Sequence, residues 1–338
     1  MLMKSVGYDK EKILKKIRAA NYLTVAQLFL HKNFLLENEL TFDDVKPRLL
    51  GHWGTCPGIT LAYNCLKSYD HDIDFVVGPG HGFPALQANL FIDGELEKVD
   101  KKAIRDENGI AYICKNFSWP DGFPSHASPM TPHVICEGGE LGYALATSYG
   151  FVLGKPEKTI ACLVGDGEFE TATALSSMNL NKLFSGVRNG NVLPILHLNG
   201  YKISAPTIAG RKSERELSEL IRGFGFTPLF VRATNEDANL ALSYAIDDFK
   251  EALDKAYEIF RNIKRGKKEN PPFIIMKTDK GLTGPEELNG IKIRNNFKAH
   301  QIPLLNAKTD EKELKVLNAW LKSYRFDEVF DKEKGFVL

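Results

Sequence analysis

Two segments decide the fold: Thr159-Ile-Ala-Cys-Leu-Val-Gly-Asp-Gly-Glu168 and Val192-Leu-Pro-Ile-Leu-His-Leu-Asn-Gly-Tyr201. Each is a short, continuous apolar run that stops in a glycine-containing loop. Neither alternates polar with apolar residues, so neither reads as a strand with one wet face. Continuous runs of this kind suit parallel strands covered on both sides. Ile73-Asp-Phe-Val-Val77 leads in the same way into Gly78-Pro-Gly-His-Gly82, and Phe273-Ile-Ile-Met276 into Lys277-Thr-Asp-Lys-Gly281. Leu229-Phe-Val231 is a shorter run without such a loop. Helices are predicted between the runs over 140–149, 171–184 and the amphipathic 235–261, which Thr234-Asn-Glu-Asp opens. Strands alternating with helices give an α/β fold: an open, mostly parallel sheet with helices on both faces. Ligands of such folds gather at the carboxyl ends of the strands, and every glycine loop quoted lies at one.

Outside this region the signals are weaker. Residues 1–50 read as a helical, peripheral segment, with apolar residues at helical spacing over 20–30. The stretch 285–303 is polar, and 310–326 reads as a terminal helix. Residues 287–302 are expected to form an ordered loop lying over something, although composition alone favours a mobile linker. The expected organisation is therefore 1–50, an α/β domain over 51–284, and a C-terminal loop and helix over 285–338.

Bulk properties exclude several classes. Of 338 residues 43% are hydrophobic, enough for a large core. With 44 basic and 43 acidic residues the net charge is +1, which gives no electrostatic case for nucleic acid or an anionic membrane as partner. Cys56, Cys65, Cys114, Cys136 and Cys162 are odd in number, lack CxxC spacing and mostly sit in apolar runs, as reduced, partly buried thiols do. The N-terminus lacks the apolar stretch of a signal peptide, and no run is long enough to span a bilayer, so a soluble cytoplasmic protein is expected.

The most specific chemistry lies at the ends of the two opening segments. A divalent cation that holds a diphosphate wants oxygen ligands in near-octahedral array. Asp166 offers a carboxylate, Asn199 an amide oxygen and Tyr201 a backbone carbonyl. Gly165 and Gly167 let the backbone approach phosphate and present N–H groups. Gly-Asp-Gly alone is more often a plain turn; its pairing with a second strand ending in Asn-Gly-Tyr carries the signal. That pair resembles the thiamine diphosphate signature of the transketolase-like superfamily. Longer stretches narrow the resemblance to phosphoketolase, in chain order: Gly51-His-Trp-Gly-Thr55, Gly78-Pro-Gly-His-Gly82, Glu137-Gly-Gly-Glu-Leu-Gly-Tyr143, Leu193-Pro-Ile-Leu-His-Leu-Asn-Gly-Tyr-Lys-Ile203 and His300-Gln-Ile-Pro303. The resemblance runs from about Tyr22 to near the C-terminus.

The resemblance implies thiamine diphosphate and Mg2+ (or Ca2+ or Mn2+) as cofactors over 51–284. It also implies cleavage of xylulose 5-phosphate or fructose 6-phosphate by inorganic phosphate, giving acetyl phosphate and an aldose phosphate. Metal ligands would be Asp166, Asn199 and Tyr201. Gly139, Gly165, Gly167 and Glu168 would join them around the cofactor; Lys280, which follows an apolar run, could meet a phosphate or simply be solvated. His52, His81, His126 and His300 match positions lining the substrate channel: His52 and His300 for sugar hydroxyls, His81 and His126 nearer the reacting carbon. Imidazole suits proton transfer near neutral pH, while a lone loop histidine is ordinarily just solvated. His197, inside an apolar run, reads as a satisfied core histidine, and His31 and His71 as surface residues. Gly138, Gly139 and Gly142 fit close approach to a cofactor and tight helix–strand packing equally well. Lys202 could meet a diphosphate or simply pack its stem.

Some positions depart from the family pattern. His133 stands where glycine is usual, Leu282 where tryptophan is usual, Ala205 where asparagine is usual, and Thr171-Ala-Thr-Ala-Leu replaces a Gly-Pro-Leu-Ala stretch. The resemblance also implies an activating glutamate from a second, pyrimidine-binding module. The chain is thus expected to be a subunit or fragment that is inactive alone and works as a homo- or hetero-oligomer with a partner carrying that module. A transketolase-like two-carbon transfer subunit and a non-catalytic regulatory module that retains the fold are the alternatives.

Overall fold

The structure, a computed structural model, describes residues 7–136 and 138–338. Residues 1–6, read above for the absence of a signal peptide, and Glu137 of the glycine motif lie outside that range. The chain folds as two units built from interleaved segments. The first takes the chain up to Lys10, then 65–80 and 133–279; the second takes 11–64, 81–132 and 280–338.

The first unit holds a five-stranded sheet in which every pairing is parallel, as the unbroken apolar runs predict. Its strands are β1 (Asp74–Val77), β2 (Thr159–Gly165), β3 (Asn191–Leu198), β4 (Thr227–Ala233) and β5 (Pro272–Thr278), in the order β1-β2-β3-β5-β4. Every residue of β2 is buried, and in β3 only Asn191 is not fully so. Pro194 is tolerated inside a central strand because the β3–β5 ladder begins one residue later, at Ile195. Gly165 stands opposite His197, so β2 and β3 end almost level and deliver Asp166 and Asn199 to the same edge. Val164, Leu196, Phe273 and Ile275 pack with Tyr149 and Phe226 into the core beside the sheet.

The helices follow local chemistry more than apolar period. The long helix Ala238–Lys264 opens on Asp237, whose carboxylate accepts from the N–H groups of Asn239 (2.7 Å) and Leu240 (3.2 Å). The helix expected over 140–149 starts only at Ala144, because Gly142 stands at φ 100° just before it. The one expected over 171–184 starts where expected, at Ala172, but runs only to Ser177 before giving way to a 3-10 turn, Met178–Lys182. Thr171 caps that start, its hydroxyl accepting from Ala174 N–H at 3.3 Å, and a separate short helix, Asp166–Phe169, precedes it.

In the second unit, helix Lys10–Phe29 is helical as predicted but not peripheral: every residue of 19–29 is buried, polar Asn21, Thr24 and Gln27 included. Lys46 is buried beside it. Its ammonium donates to the carbonyls of Gln27 (2.7 Å) and Phe117 (3.4 Å), and burial brings its pKa down to about 8. The terminal helix runs Glu311–Ser323, capped by Asp310. Residues 285–303 are ordered: Glu287–Leu288 pairs with Ile291–Lys292, Asn295 N–H donates to the Lys280 carbonyl (2.8 Å), and Ala299 is fully buried. Among the described residues, no helix is long and apolar enough to cross a membrane, and Cys56, Cys65, Cys114 and Cys162 are free and buried, while Cys136 is partly exposed.

Core and cap should separate by magnitude in urea titrations at unchanged m-value. Leu163→Ala, in the fully buried β2, is expected to cost about 2–5 kcal/mol, whereas Asp237→Ala should cost about 1 kcal/mol.

Candidate active site

Each unit brings together one set of the predicted site residues. In the first, Asp166 is almost wholly buried at the end of β2, and its carboxylate organises the loops around it. One oxygen accepts from Gly167 N–H (2.9 Å); the other accepts from Gly200 N–H (2.6 Å) and from the Thr207 hydroxyl (3.2 Å). Gly200 stands at φ 85°, and Thr207 N–H returns to its carbonyl at 2.9 Å. The chain thus doubles back over 200–207 and brings Thr207 to Asp166. Thr207 was not singled out in the sequence; the only signal was the Ala205-Pro206 turn before it. The Asn199 amide oxygen accepts from Tyr201 N–H at 3.2 Å.

This donor set suits a hard cation. A carboxylate, an amide oxygen and a neighbouring backbone carbonyl are all oxygen donors of the kind such a cation takes. Among the described residues no group of three or more His, Cys, Asp or Glu is placed to hold a metal, so a cation here would rest on one carboxylate and two neutral oxygens. Lys202 takes the bland alternative: it pairs with Glu170 at 2.6 Å and lays its stem over Gly167.

Glu168 is buried and accepts from Gly142 N–H and Gly165 N–H, each at 3.1 Å. Burial raises its pKa to about 7 although both donors pull it down. Gly78 must be glycine, since a Cβ there would lie 2.7 Å from the Leu163 carbonyl and overlap Glu168. Gly139 is exposed in the loop ahead of Gly142. His133 stands at φ 64°, the left-handed conformation that a glycine would take freely. His197 is fully buried with Nε2 at 2.9 Å from Thr278 Oγ1, a satisfied core histidine. His31 and His71 are exposed.

The second unit gathers His52, His81, His126 and His300 into one cluster. The His52 ring lies 4.9 Å from His81, 5.3 Å from His300 and 5.6 Å from His126, and His81 lies 5.2 Å from His300. Trp53, fully buried, frames it: its peptide N–H donates to the Gln301 carbonyl (3.1 Å) and its indole N–H to the Gly281 carbonyl (3.3 Å). Ser125 Oγ meets His126 Nδ1 at 2.9 Å. Lys280 is buried, and a Cβ on Gly54 would lie 2.9 Å from its Cε, so only glycine lets the stem pass.

Burial, then the charges of His126 and Lys280, lowers His52 to about 4. Burial, then Lys280 and His52, lowers His300 to about 3. His81 is pushed well below its usual range by burial and the same neighbours. These three imidazoles are neutral at pH 7, each with one donor and one acceptor nitrogen. Nδ1 of His52 and of His300 is buried without a hydrogen-bond partner. Unmatched buried polar atoms are costly.

A family model described as the XFP N-terminal domain matches residues 8–337. A probable phosphoketolase of Bradyrhizobium diazoefficiens is 43% identical over 332 residues, covering 95% of this chain and 41% of that protein. One from Streptomyces coelicolor is 45% identical over 322 residues, covering 93% and 40%. The chain thus spans about two fifths of the length of these relatives. Among solved structures, a transketolase from Leishmania mexicana superposes with TM-score 0.59 at 17% identity, over 95% of this chain and 45% of that one. A transketolase from Campylobacter jejuni also gives 0.59 at 17%, over 96% and 49%. At such identity the likeness is one of fold.

The shifted groups fix how stability depends on pH. An unfolded histidine titrates near 6.5, so below that pH the unfolded chain takes up protons that folded His52, His81 and His300 refuse. Their contribution is complete above about 6.5 and is lost as pH falls towards 4. Glu168 has the opposite sign: its contribution is present below about 4.5 and is lost as pH rises through 7. Urea midpoints measured from pH 4 to 8 should fall on the acid side. His52→Asn with His300→Asn should flatten that limb, and an unchanged limb in the double variant would refute the assignment.

Proposed function

The chain belongs to the phosphoketolase family of the XFP N-terminal domain, and from that premise we propose that it forms the diphosphate- and metal-holding part of a thiamine diphosphate-dependent phosphoketolase. The reaction is a lyase cleavage of xylulose 5-phosphate or fructose 6-phosphate with inorganic phosphate, yielding acetyl phosphate and a shortened aldose phosphate in the cytoplasm. The observation that carries this reading is the cluster of four imidazoles, three of them held neutral and two with a buried, unmatched Nδ1.

Asp166, Asn199 and the Tyr201 carbonyl are the ligands for Mg2+, and Gly139, Gly165 and Gly167 line the diphosphate with backbone. Glu168 acts one step back, holding Gly142 and Gly165 in place. Thiamine diphosphate, when bound, supplies the carbon nucleophile that opens the ketose carbon–carbon bond. The chain's own residues do the rest. His52 and His300 take sugar hydroxyls through Nδ1, and neutral imidazoles can donate or accept there without the cost of a buried charge. His81 and His126 exchange protons with the two-carbon fragment as it loses water. Lys280 contributes a positive charge to the cluster, matched to an anionic substrate.

The activating glutamate is assigned to a pyrimidine-binding module in the remainder of the length that the relatives have. Here that module is a partner, supplied as a second polypeptide or a further segment, and the chain by itself is proposed to be inactive.

Acetyl phosphate formation should therefore require this chain, the partner module, thiamine diphosphate, Mg2+ and inorganic phosphate together. In that mixture His126→Ala is expected to lower turnover roughly 100-fold or more while leaving cofactor binding, followed by calorimetry, intact. Asp166→Asn should abolish binding of the cofactor–metal pair. Full turnover by His126→Ala would remove its role. Phosphate-independent transfer to an aldose would point to transketolase chemistry, and absent cofactor binding with the partner present to a regulatory module.

A further inference from the structure

Thr283 stands at φ 67°. The turn around it is closed by Gly284 N–H donating to the Gly281 carbonyl at 2.9 Å. Thr283 occupies its third position, where a positive φ normally calls for glycine or asparagine. A β-branched residue there is strained and persists only when its surroundings over-determine it.

The surroundings are two helices of the second unit. The Thr283 hydroxyl lies 2.9 Å from the Tyr324 hydroxyl and accepts from the Asn21 side-chain amide at 3.3 Å. The Thr283 carbonyl accepts from the Trp320 indole N–H (3.0 Å) and is 3.1 Å from the Tyr324 hydroxyl. Trp320 N–H also reaches the Tyr324 oxygen at 3.0 Å. Trp320 and Tyr324 are almost wholly buried, so these bonds are made away from water. Immediately upstream, Gly281 N–H donates to the Gly54 carbonyl at 2.9 Å, and the next residue back is Lys280, buried among the histidines.

We propose that Thr283 and Tyr324 are positioning residues for Lys280: their hydroxyl contact holds the strained turn 281–284, and the turn holds the lysine ammonium beside His52, His81 and His300. Thr283 lies three residues after Lys280, and the clamp acts on the cluster through that lysine. The significance for catalysis rests on the reading of the histidine cluster as a sugar-phosphate site. The placement itself does not, and it can be tested without turnover.

The experiment uses the full chain with 13C-labelled histidine, followed by NMR from pH 4.5 to 8. The groups facing the cluster are His52, His81, His126, His300 and Lys280. His52, lowered to about 4, should stay flat above about pH 5.5 in the unaltered protein and titrate only at the acid end of the range. Lys280→Met removes the charge and should raise the His52 midpoint by about one pH unit. Tyr324→Phe and Thr283→Ala should each reproduce most of that rise, and Thr283→Ser should restore the flat profile. Glycine takes the turn without strain, so in a Thr283→Gly background Tyr324→Phe should add nothing, a non-additivity that marks coupling.

A Tyr324→Phe protein that melts earlier but keeps His52 flat overturns the proposal. So does a Tyr324→Phe shift that survives undiminished in the Thr283→Gly background, or a Lys280→Met protein with an unmoved His52. Failure of the acetyl phosphate assay leaves these readings untouched.

Discussion

Burial of the Trp53 side chain is the constraint from which the second unit's site follows. A fully buried indole N–H needs an acceptor, and it finds the Gly281 carbonyl at 3.3 Å, while the same residue's peptide N–H takes the Gln301 carbonyl at 3.1 Å. The ring packs edge-on against Trp320, centroids 4.8 Å apart. Three loops far apart in sequence are thereby fixed at one residue. The residue before each anchor is a site residue: His52 before Trp53, Lys280 before Gly281, His300 before Gln301. Gly281 must itself be glycine, since its φ is 73° and a Cβ there would lie 2.8 Å from the Ala299 Cβ.

The two units meet the same electrostatic problem with different residue types. A charged group removed from water is costly unless neutralised or well bonded. Imidazole has the cheapest escape near pH 7, because its neutral form is close at hand and still offers a donor and an acceptor. That is why a cluster of four can be built with little compensation. Glu168 shows the harder case: two backbone donors stabilise its charge, yet burial still wins and lifts it to about 7.

Local pattern made the sheet legible. Five apolar runs became five parallel strands, and the glycine loops at their ends are where Asp166 and Asn199 emerge. The helices were less legible, because Gly142 delays one start to Ala144 and the helix expected over 171–184 gives way to a 3-10 turn at Met178, neither of which apolar spacing registers. Helix Lys10–Phe29 reads as peripheral only because Asn21, Thr24 and Gln27 look solvated. In the fold Thr24 bonds its own helix carbonyl at 2.7 Å, and Gln27 reaches the Pro84 carbonyl at 3.0 Å. Thr207 and Thr283 were invisible for a further reason. Each acts through a partner 41 residues away along the chain, and nothing in a local window announces it.

The departures from the family pattern can be weighed by what each position asks of its residue. Leu282 stands where tryptophan is usual and is fully buried, so the position still receives an apolar side chain and is altered in volume but not in kind. His133 stands where glycine is usual at φ 64°, and the cost is one of backbone, about 1–2 kcal/mol for an ordinary residue. Histidine is among the side chains that tolerate this region better than most. Thr283 belongs to the same class of strain, but there the surrounding hydroxyls and an indole are aimed at it. A strained residue met by several converging bonds is held by them. By that criterion the turn 281–284 is where strain is tied to the placement of a site residue.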